Sequence, residues 1–418
     1  MIRTNKIQCF PNQKQKETIY KTLGACRWIY NQYLGYNRKI YDEEKRFVSG
    51  RKFRRILTQL KKTSDEYKWL KGISQKAVDN SYLTAEKALK SFFKKKTGFP
   101  KFKSKKNPVQ SYYLYPVDYK DNPDKIKHNG IILPCLGWMR IRENDYVPDA
   151  HILHARLVVS NVGKFYITLT YDDNKDIPKK KPKYPAVGID VGIKNYISIA
   201  SANGENIQIE SLVNCDYVKR LTEKKVKLER IISNKAEINY GKLLNAFVDK
   251  HKREPNEIEK KIIRKESYGS SQINKVRLKI NRINKKISDF KTDIINKFVN
   301  ELVKNKPKYI TIENLSIKEM VSKTRDDHKK SLSRYIMQSK FYYLFQRIIW
   351  KCKVYGVELR IANKYFASSK KCSECGHKKK DLTLDDRIYV CDECGLKIDR
   401  DLNAAINLLN TDDYTIIV

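Results

Sequence analysis

The alternation of apolar and polar positions changes period along the chain. Residues 2–10 alternate weakly and predict one short strand, closed by Pro11 and Asn12. Ile19, Leu23, Cys26, Trp28, Ile29 and Leu34 then recur at nearly helical spacing. Two further helices are predicted over 51–62 and 73–94, the second carrying Ala77, Tyr82, Ala85, Leu89, Phe92 and Phe93. Between 110 and 173 the period shortens. Residues 111–115, 130–133, 138–141, 155–159 and 164–171 each read as a strand between turn residues, which predicts an antiparallel barrel or sandwich. The strand at 2–10 can join it, so that the helical block becomes an insertion into a β domain. A Lys- and Pro-rich segment, 178–183, marks the next boundary.

From 186 onward strand and helix alternate. Residues 187–189 and 196–200 read as strands joined by the turn Gly-Ile-Lys-Asn, 192–195. Residues 216–232 and 271–300 predict long basic helices. In the second, Val276, Ile280, Ile283, Ile287, Phe290, Ile294 and Phe298 form a packing stripe, as expected of an antiparallel helix pair. The polar stretch 233–270 reads as a partly helical insertion. Residues 309–313 predict a buried strand, 338–356 an amphipathic helix and 357–362 another strand, and the tail after Leu409 reads as disordered.

Charge narrows the partners. The 418 residues include 87 Lys+Arg against 47 Asp+Glu, a net charge of +40. Solubility needs a net charge of only about 2–8 in a small domain, so this excess points to a polyanion, and nucleic acid fits far better than an acidic membrane surface. Basic residues interleave with aromatics in the segment Lys94, Lys95, Lys96, Phe99, Lys101, Phe102, Lys103 and Lys105, broken by Gly98 and Pro100, which reads as a loop tracking a phosphate backbone. No apolar run approaches the roughly 20 residues of a membrane span and no signal peptide is evident, so a cytoplasmic protein is expected. Cys9, Cys26, Cys135, Cys215 and Cys352 are scattered, as reduced thiols would be.

Two constellations carry chemistry. Cys372-Ser-Glu-Cys375 and Cys391-Asp-Glu-Cys394 are paired knuckles able to hold one structural Zn²⁺ through four thiolates, with Gly376 and Gly395 supplying permissive backbone and His377 standing beside the site. The second constellation is acidic. Asp190 sits in Ala-Val-Gly-Ile-Asp-Val-Gly and Glu313 in Tyr-Ile-Thr-Ile-Glu-Asn-Leu, both apolar strand contexts where a carboxylate is costly unless paired or metal bound. Gly188 and Gly192 would let a metal or phosphate approach Asp190. Asp401 opens a short helix after the cysteine cluster, where it could serve as an N-cap, and Asp399 competes with it as a ligand. Acids on adjacent elements can hold two Mg²⁺ ions for phosphodiester hydrolysis.

The order of Gly-Ile-Asp-Val-Gly-Ile-Lys, Ile-Glu-Asn-Leu, Ser-Ser-Lys-Lys-Cys-Ser-Glu-Cys-Gly and Asp-Arg-Asp-Leu-Asn-Ala-Ala-Ile-Asn closely resembles TnpB, the insertion-sequence-encoded RNA-guided DNA endonucleases related to type V CRISPR effectors. The opening segment through Gly24-Ala-Cys-Arg-Trp-Ile-Tyr-Asn, Gly98-Phe-Pro-Lys-Phe-Lys and Leu133-Pro-Cys-Leu-Gly-Trp are also family-like. The resemblance implies a multidomain α+β chain. A split β-barrel wedge domain (1–10 and 108–178) would hold a helical recognition insertion (11–107), followed by an RNase H-like (RuvC) α/β nuclease domain (185–367 and 396–418) with an inserted zinc ribbon (368–395). It implies the catalytic, magnesium-binding triad Asp190, Glu313 and Asp401, with Asp401 preferred over Asp399 by motif position. It also implies motif readout from the start of helix 73–94, where Gln75, Lys76 and Asp79 stand without reproducing a family pattern.

The expected partners are a guide RNA from the transposon end, or a CRISPR RNA, and a double-stranded DNA target. One protein would act with one RNA, near the nucleoid of a bacterium or archaeon. A miniature type V CRISPR effector is the alternative in the same class. A non-cleaving RNA-guided repressor and a strand-transferring transposase are the more distant ones.

Overall fold

The computed structural model describes the chain except for residues 106–108, 115–125, 145, 148–149, 175–181, 193–194, 315–318, 320, 322–329, 380 and 384–385. Most of the expected linker 178–183 and the middle of the expected turn 192–195 therefore lie outside the described residues. The chain forms two units, Met1–Asp176 and Ile177–Val418.

In the first unit, strand β1 (Ile2–Phe10) leads into helix α1 (Gln13–Glu44), then α2 (Gly50–Thr63), a 3-10 segment (Asp65–Gly72) and α3 (Gln75–Phe93). Strands β2 (Gln110–Leu114), β3 (Ile126–Lys127), β4 (Gly130–Leu133), β5 (Gly137–Ile141), β6 (Ile152–Val159) and β7 (Phe165–Asp172) follow. The sheet order is β2-β6-β7-β1-β5-β4-β3, with β1 central and antiparallel to β7 from Ile2–Asp172 to Cys9–Phe165. The N-terminal strand thus completes a sheet made largely after the helices, as its alternation predicts. The seven strands form one sheet, and no pairing joins β2 to β3 among the described residues.

Asn12 starts α1 with a capping box: its side chain accepts from the Gln15 N–H, and Gln15 Oε1 accepts from the Asn12 N–H. Lys45, at φ 52°, ends the helix in the left-handed conformation. The helices share a core of Ile29, Tyr33, Leu34, Phe53, Leu57, Leu70, Tyr82 and Leu89.

The second unit begins with β8 (Val187–Asp190), β9 (Asn195–Ser201) and β10 (Asn206–Glu210), continues through α4 (Asp216–His251), α5 (Glu257–Ser267) and α6 (Ser271–Lys304), and reaches β11 (Tyr309–Ile312). Helices α7 (Lys330–Gln338) and α8 (Phe341–Tyr355) precede β12 (Glu358–Ala362). Then come β13 (Ile388–Val390), β14 (Lys397–Asp399), α9 (Arg400–Asn410) and β15 (Tyr414–Ile416). The main sheet has the order β10-β9-β8-β11-β12-β15. β8, β9 and β10 pair antiparallel, while β8, β11 and β12 run parallel. One face is covered by α6 and α8 through Ile295, Val299, Val303, Leu344, Ile348 and Cys352, and the other by α9 through Ala405 and Leu409.

Three expectations change. The predicted partial insertion 233–270 is almost wholly helical. α4 runs unbroken to His251, and contacts of Tyr217 with Phe290 and Lys235 with Gln272 align it antiparallel to α6. Only Val218 and Ala236 are buried along α4, so it projects from the core and leaves little apolar periodicity to read. The helix predicted over 338–356 begins at Phe341, after Lys340 at φ 59°, and a separate helix that was not predicted, Lys330–Gln338, precedes it. The tail is ordered: β15 pairs antiparallel with β12 from Arg360–Ile416 to Ala362–Tyr414, and Arg360 stacks on Tyr309 and Tyr414 at 3.5 and 4.2 Å.

Candidate active site

Strand register brings the first two acids together. β8 and β11 pair in parallel as Val187–Ile310, Gly188–Thr311 and Ile189–Ile312, which places Glu313, one residue past β11, beside Asp190 at the end of β8. Side chains alternate faces along a strand. Ile189, Ile310 and Ile312 pack into the core under α6 and α8. Gly188, Asp190, Thr311 and Glu313 therefore take the α9 face. There α9 delivers the third acid in its first turn. A Cβ on Gly192 would lie 3.6 Å from Asp401 Oδ2, which fixes Asp401 next to the residues that follow Asp190.

The glycines serve a different approach from the one expected. A Cβ on Gly188 would meet the Ala405 carbonyl at 2.2 Å and the Leu409 nitrogen at 2.4 Å. What comes close is the backbone of α9, not a metal or phosphate. Gly192 is crowded by the Asn195 carbonyl at 2.8 Å.

The helix start also separates Asp399 from Asp401. Asp399 is the N-cap: its Oδ1 accepts from the Asp401 and Leu402 N–H groups, both at 3.0 Å, and from Gln208 Nε2 at 2.8 Å. Asp401 caps nothing and instead accepts from Asn195 Nδ2 at 3.1 Å. In the sequence nothing marks Asn195, a polar residue at a strand start, as a carboxylate partner.

Electrostatics agree with this closeness. Burial first, then the charges of Glu313 and Asp401, hold the Asp190 carboxyl well above the ordinary carboxylate range. Burial raises Glu313, and burial together with Asp399 raises Asp401 against the pull of Arg387, Asn195 and Arg400. Three acids that each resist ionisation are a donor set suited to cations of high charge density.

The four thiols converge. Their sulfur atoms all lie within 4.8 Å of one another, with Cys372–Cys394 at 3.6 Å and Cys375–Cys391 at 3.5 Å. Four sulfurs at ~2.3 Å from one ion would stand about 3.8 Å apart. The knuckles repeat one pattern: Cys372 N donates to His377 O and Gly376 N to Cys372 O, while Cys391 N donates to Leu396 O and Gly395 N to Cys391 O. Gly376 and Gly395, at φ 77° and 74°, hold the left-handed turn that this pattern requires. Backbone N–H groups of Cys394 and Glu393 lower the Cys391 thiol to about 6. His377 is outside the set, its ring 3.7 Å from Glu393. The other five cysteines are free thiols, with Cys9, Cys26 and Cys352 buried.

Helix α9 joins the two constellations. Asn403 Oδ1 accepts from Ser373 N at 3.0 Å and its Nδ2 donates to Lys371 O at 2.8 Å. Asn407, one turn on, donates to Lys371 O at 2.6 Å and Ser368 O at 2.8 Å. The first knuckle is thereby tied to the helix that carries Asp401. Both asparagines stand in the motif Asp-Arg-Asp-Leu-Asn-Ala-Ala-Ile-Asn, whose sequence alone shows no role for them.

The basic candidates fare unequally. Lys94, Lys95, Lys96, Lys101 and Lys105 are exposed. Lys103 is part of the fold: it lies 4.0 Å over the Tyr30 ring, its backbone exchanges hydrogen bonds with Asn31 at 2.7 and 2.9 Å, and burial lowers its ammonium pKa. Gln75 bridges Lys61 and Asp79, and Asp79 also accepts from Tyr82 and lies 3.6 Å from Arg54. Gln75 and Asp79 therefore organise the helical core's rim, while Lys76 is exposed.

Residues 341–408 match the family model described as Cas12f1-like, TNB domain, and residues 1–46 match a helix-turn-helix domain model of the OrfB/IS605 type. In this chain 1–46 hold β1 and a single long helix, with α2 beginning only at Gly50. A Streptomyces pristinaespiralis protein provisionally named an RNA-guided DNA endonuclease is 26% identical over 410 residues, 97% of this chain and 88% of its own length. InsQ of Escherichia coli K12, under the same provisional name, is 24% identical over 417 residues, 98% of this chain and 92% of its own length. TnpB-like protein L79 of Acanthamoeba polyphaga mimivirus is 30% identical over 260 residues, 58% of this chain and 42% of its own length. The resemblance to TnpB read from the motifs is borne out by these relatives.

Proposed function

We propose that this chain, a relative of TnpB proteins, is an RNA-guided endonuclease that cuts double-stranded DNA at the site formed by Asp190, Glu313 and Asp401. The observation that carries the reading is the gathering of one buried acid, Asp190, and two half-buried ones, Glu313 and Asp401, on the α9 face of the second unit's sheet. The net charge of +40 supports two nucleic-acid partners. The names of the relatives supply the RNA-guided class, in which base pairing selects the sequence and protein contacts hold the backbone.

In this reading the second unit is an RNase H-like nuclease domain with a zinc ribbon at 368–395. The first is a wedge domain (1–10 and 108–178) carrying a helical recognition insertion (11–107). Two Mg²⁺ ions held by the three acids would activate a water and stabilise the leaving oxygen. The residues' own part is placement: paired strands fix Asp190 against Glu313, the Asp399 cap and the asparagine ties fix α9, and Asn195 orients Asp401. Lys94, Lys95, Lys96, Lys101 and Lys105 would contact phosphates, and Lys76 a base edge or phosphate near the adjacent motif. The match of residues 341–408 to the Cas12f1-like model keeps a miniature type V CRISPR effector as the second reading. Neither reading calls on a membrane, and among the described residues no helix is long and apolar enough to cross one.

Sequencing the RNA that copurifies with the protein tests the proposal. A discrete species with a constant scaffold and a variable end is expected; purification free of RNA from the native host would sink it. The variable end separates the two sources, since a transposon flank and a CRISPR spacer differ in origin.

The thiol set fits zinc, and Cys372→Ser should cut bound zinc from one equivalent to nearly none. It should also expose the 368–395 segment to protease, because structural zinc supplies folding free energy directly. Full zinc content in that variant would refute the assignment.

A further inference from the structure

The helical part of the first unit holds a cleft that the proposed chemistry does not use. It has a volume of about 390 Å³ and lies between the later turns of α1 and the end of α3, closed by the loop that carries Phe99. Its walls are aromatic. Phe92 meets Phe99 edge-on at 5.4 Å and Phe93 at 5.5 Å, and Phe93 meets Tyr41 at 5.5 Å. Tyr41, Phe93 and Phe99 are each about two-fifths exposed, at 43%, 43% and 40%, so their rings are reachable from solvent. Two charged side chains stand at the lip: Arg38, 6.0 Å from the Phe99 centroid, and Asp42.

We propose that this cleft captures one unpaired nucleobase of a folded RNA. The volume falls in the range of small-molecule sites, roughly 300–1,000 Å³. Aromatic walls stack on any base face, and stacking contributes ~1–3 kcal/mol per base. An organic cation, the other usual guest of an aromatic cage, is repelled here by Arg38 and by the exposed Lys94, Lys95 and Lys96 that follow α3. Those cations instead suit the phosphates on either side of a captured base. A hydrocarbon chain would leave Arg38 and Asp42 unmatched. Asp42 can accept from an exocyclic amine, so adenine, cytosine and guanine fit better than uracil. Folded RNA presents unpaired bases in loops and bulges before any target is bound, whereas the DNA offers them only on the strand displaced once a guided duplex has opened.

The inference rests on the RNA-bound reading of the chain, and one experiment separates the two. The full-length protein with its copurified RNA is irradiated with ultraviolet light and its peptides are analysed by mass spectrometry. Ribonucleotide adducts on Tyr41, Phe93 or Phe99 are expected. Phe99→Leu, which keeps the packing volume but loses the stack, should weaken RNA binding about tenfold, at the lower part of the stacking range, and Phe99→Trp should restore it. Adducts confined to other regions, with unchanged affinity in Phe99→Leu, would overturn the pocket alone. Deoxyribonucleotide adducts at these rings would overturn its assignment to RNA. Absence of RNA from the parent protein would remove the RNA-bound reading together with the pocket.

Discussion

Asp190→Ala is expected to abolish cleavage of a guided DNA target while the RNA complex and guided binding persist. Asp190 sits where both other acids reach it electrostatically, at the end of the central strand β8. Losing it should slow cutting by ~10³-fold or more, about 4 kcal/mol in the barrier, measured as single-turnover cleavage beside a gel-shift assay of target binding. Cutting at the parental rate would remove Asp190 from the site.

Asp190→Asn separates a charged functional site from a packing role. Burial and the neighbouring acids raise the folded carboxyl's pKa above its unfolded value, so the folded chain holds the proton more tightly. Stability is then greatest below the unfolded pKa and falls as pH rises toward the folded one. In chelator-treated protein near neutral pH, Asp190→Asn should therefore melt higher than the parent. The gap should close as pH falls into the ordinary carboxylate range, and Mg²⁺ should raise the parent's melting temperature but not the variant's. A variant that melts lower throughout would contradict the charge origin of the strain.

Gly188→Ala should disrupt the second unit itself. Its new methyl would lie 2.2 Å from the Ala405 carbonyl and 2.4 Å from the Leu409 nitrogen. These are backbone atoms of a helix and cannot rotate aside as a side chain would. The cost should exceed the upper end of ordinary overpacking, about 3 kcal/mol, which for a unit of this size lowers the melting temperature by roughly 6–12 °C. Because α9 carries Asp401, cleavage should fall with it. Gly241→Ala is the matched control. No atom lies within 4 Å of the added carbon, and Gly241 is inside helix α4, so that change should hold or raise stability. Parental melting of Gly188→Ala would show that α9 does not press on β8.

Much of the site was legible because each acid sits in a local pattern that its own neighbours reveal. Asp190 and Glu313 stand out as carboxylates at the ends of apolar runs, and the thiols stand out by spacing alone. Local pattern also predicted β1 and the existence of α6, but of the stripe read there only Ile280 is buried, and Ile295, Val299 and Val303 face the core instead. It failed for α4 beyond residue 232, whose few buried positions leave no stripe, and for β15, whose partner β12 lies some fifty residues upstream. It failed again at Gly188, where a small residue beside an acid suggested room for a ligand although the neighbour was a helix.

The sequence by itself determined the inventory of this protein: three acids in strand or helix-start settings, four thiols in matched knuckles, and an excess of cations that calls for a polyanion. Those follow from composition and short-range spacing. The tertiary structure decided which of two nearby aspartates caps the helix, since the hydrogen bonds of the α9 start commit Asp399 to the backbone while Asp401 accepts from Asn195. It also decided that the three acids gather on one face, through the parallel register of β8 with β11 and the close seat of α9 on Gly188. Register and close packing join residues more than a hundred positions apart, and no local pattern of hydrophobicity or charge encodes such contacts.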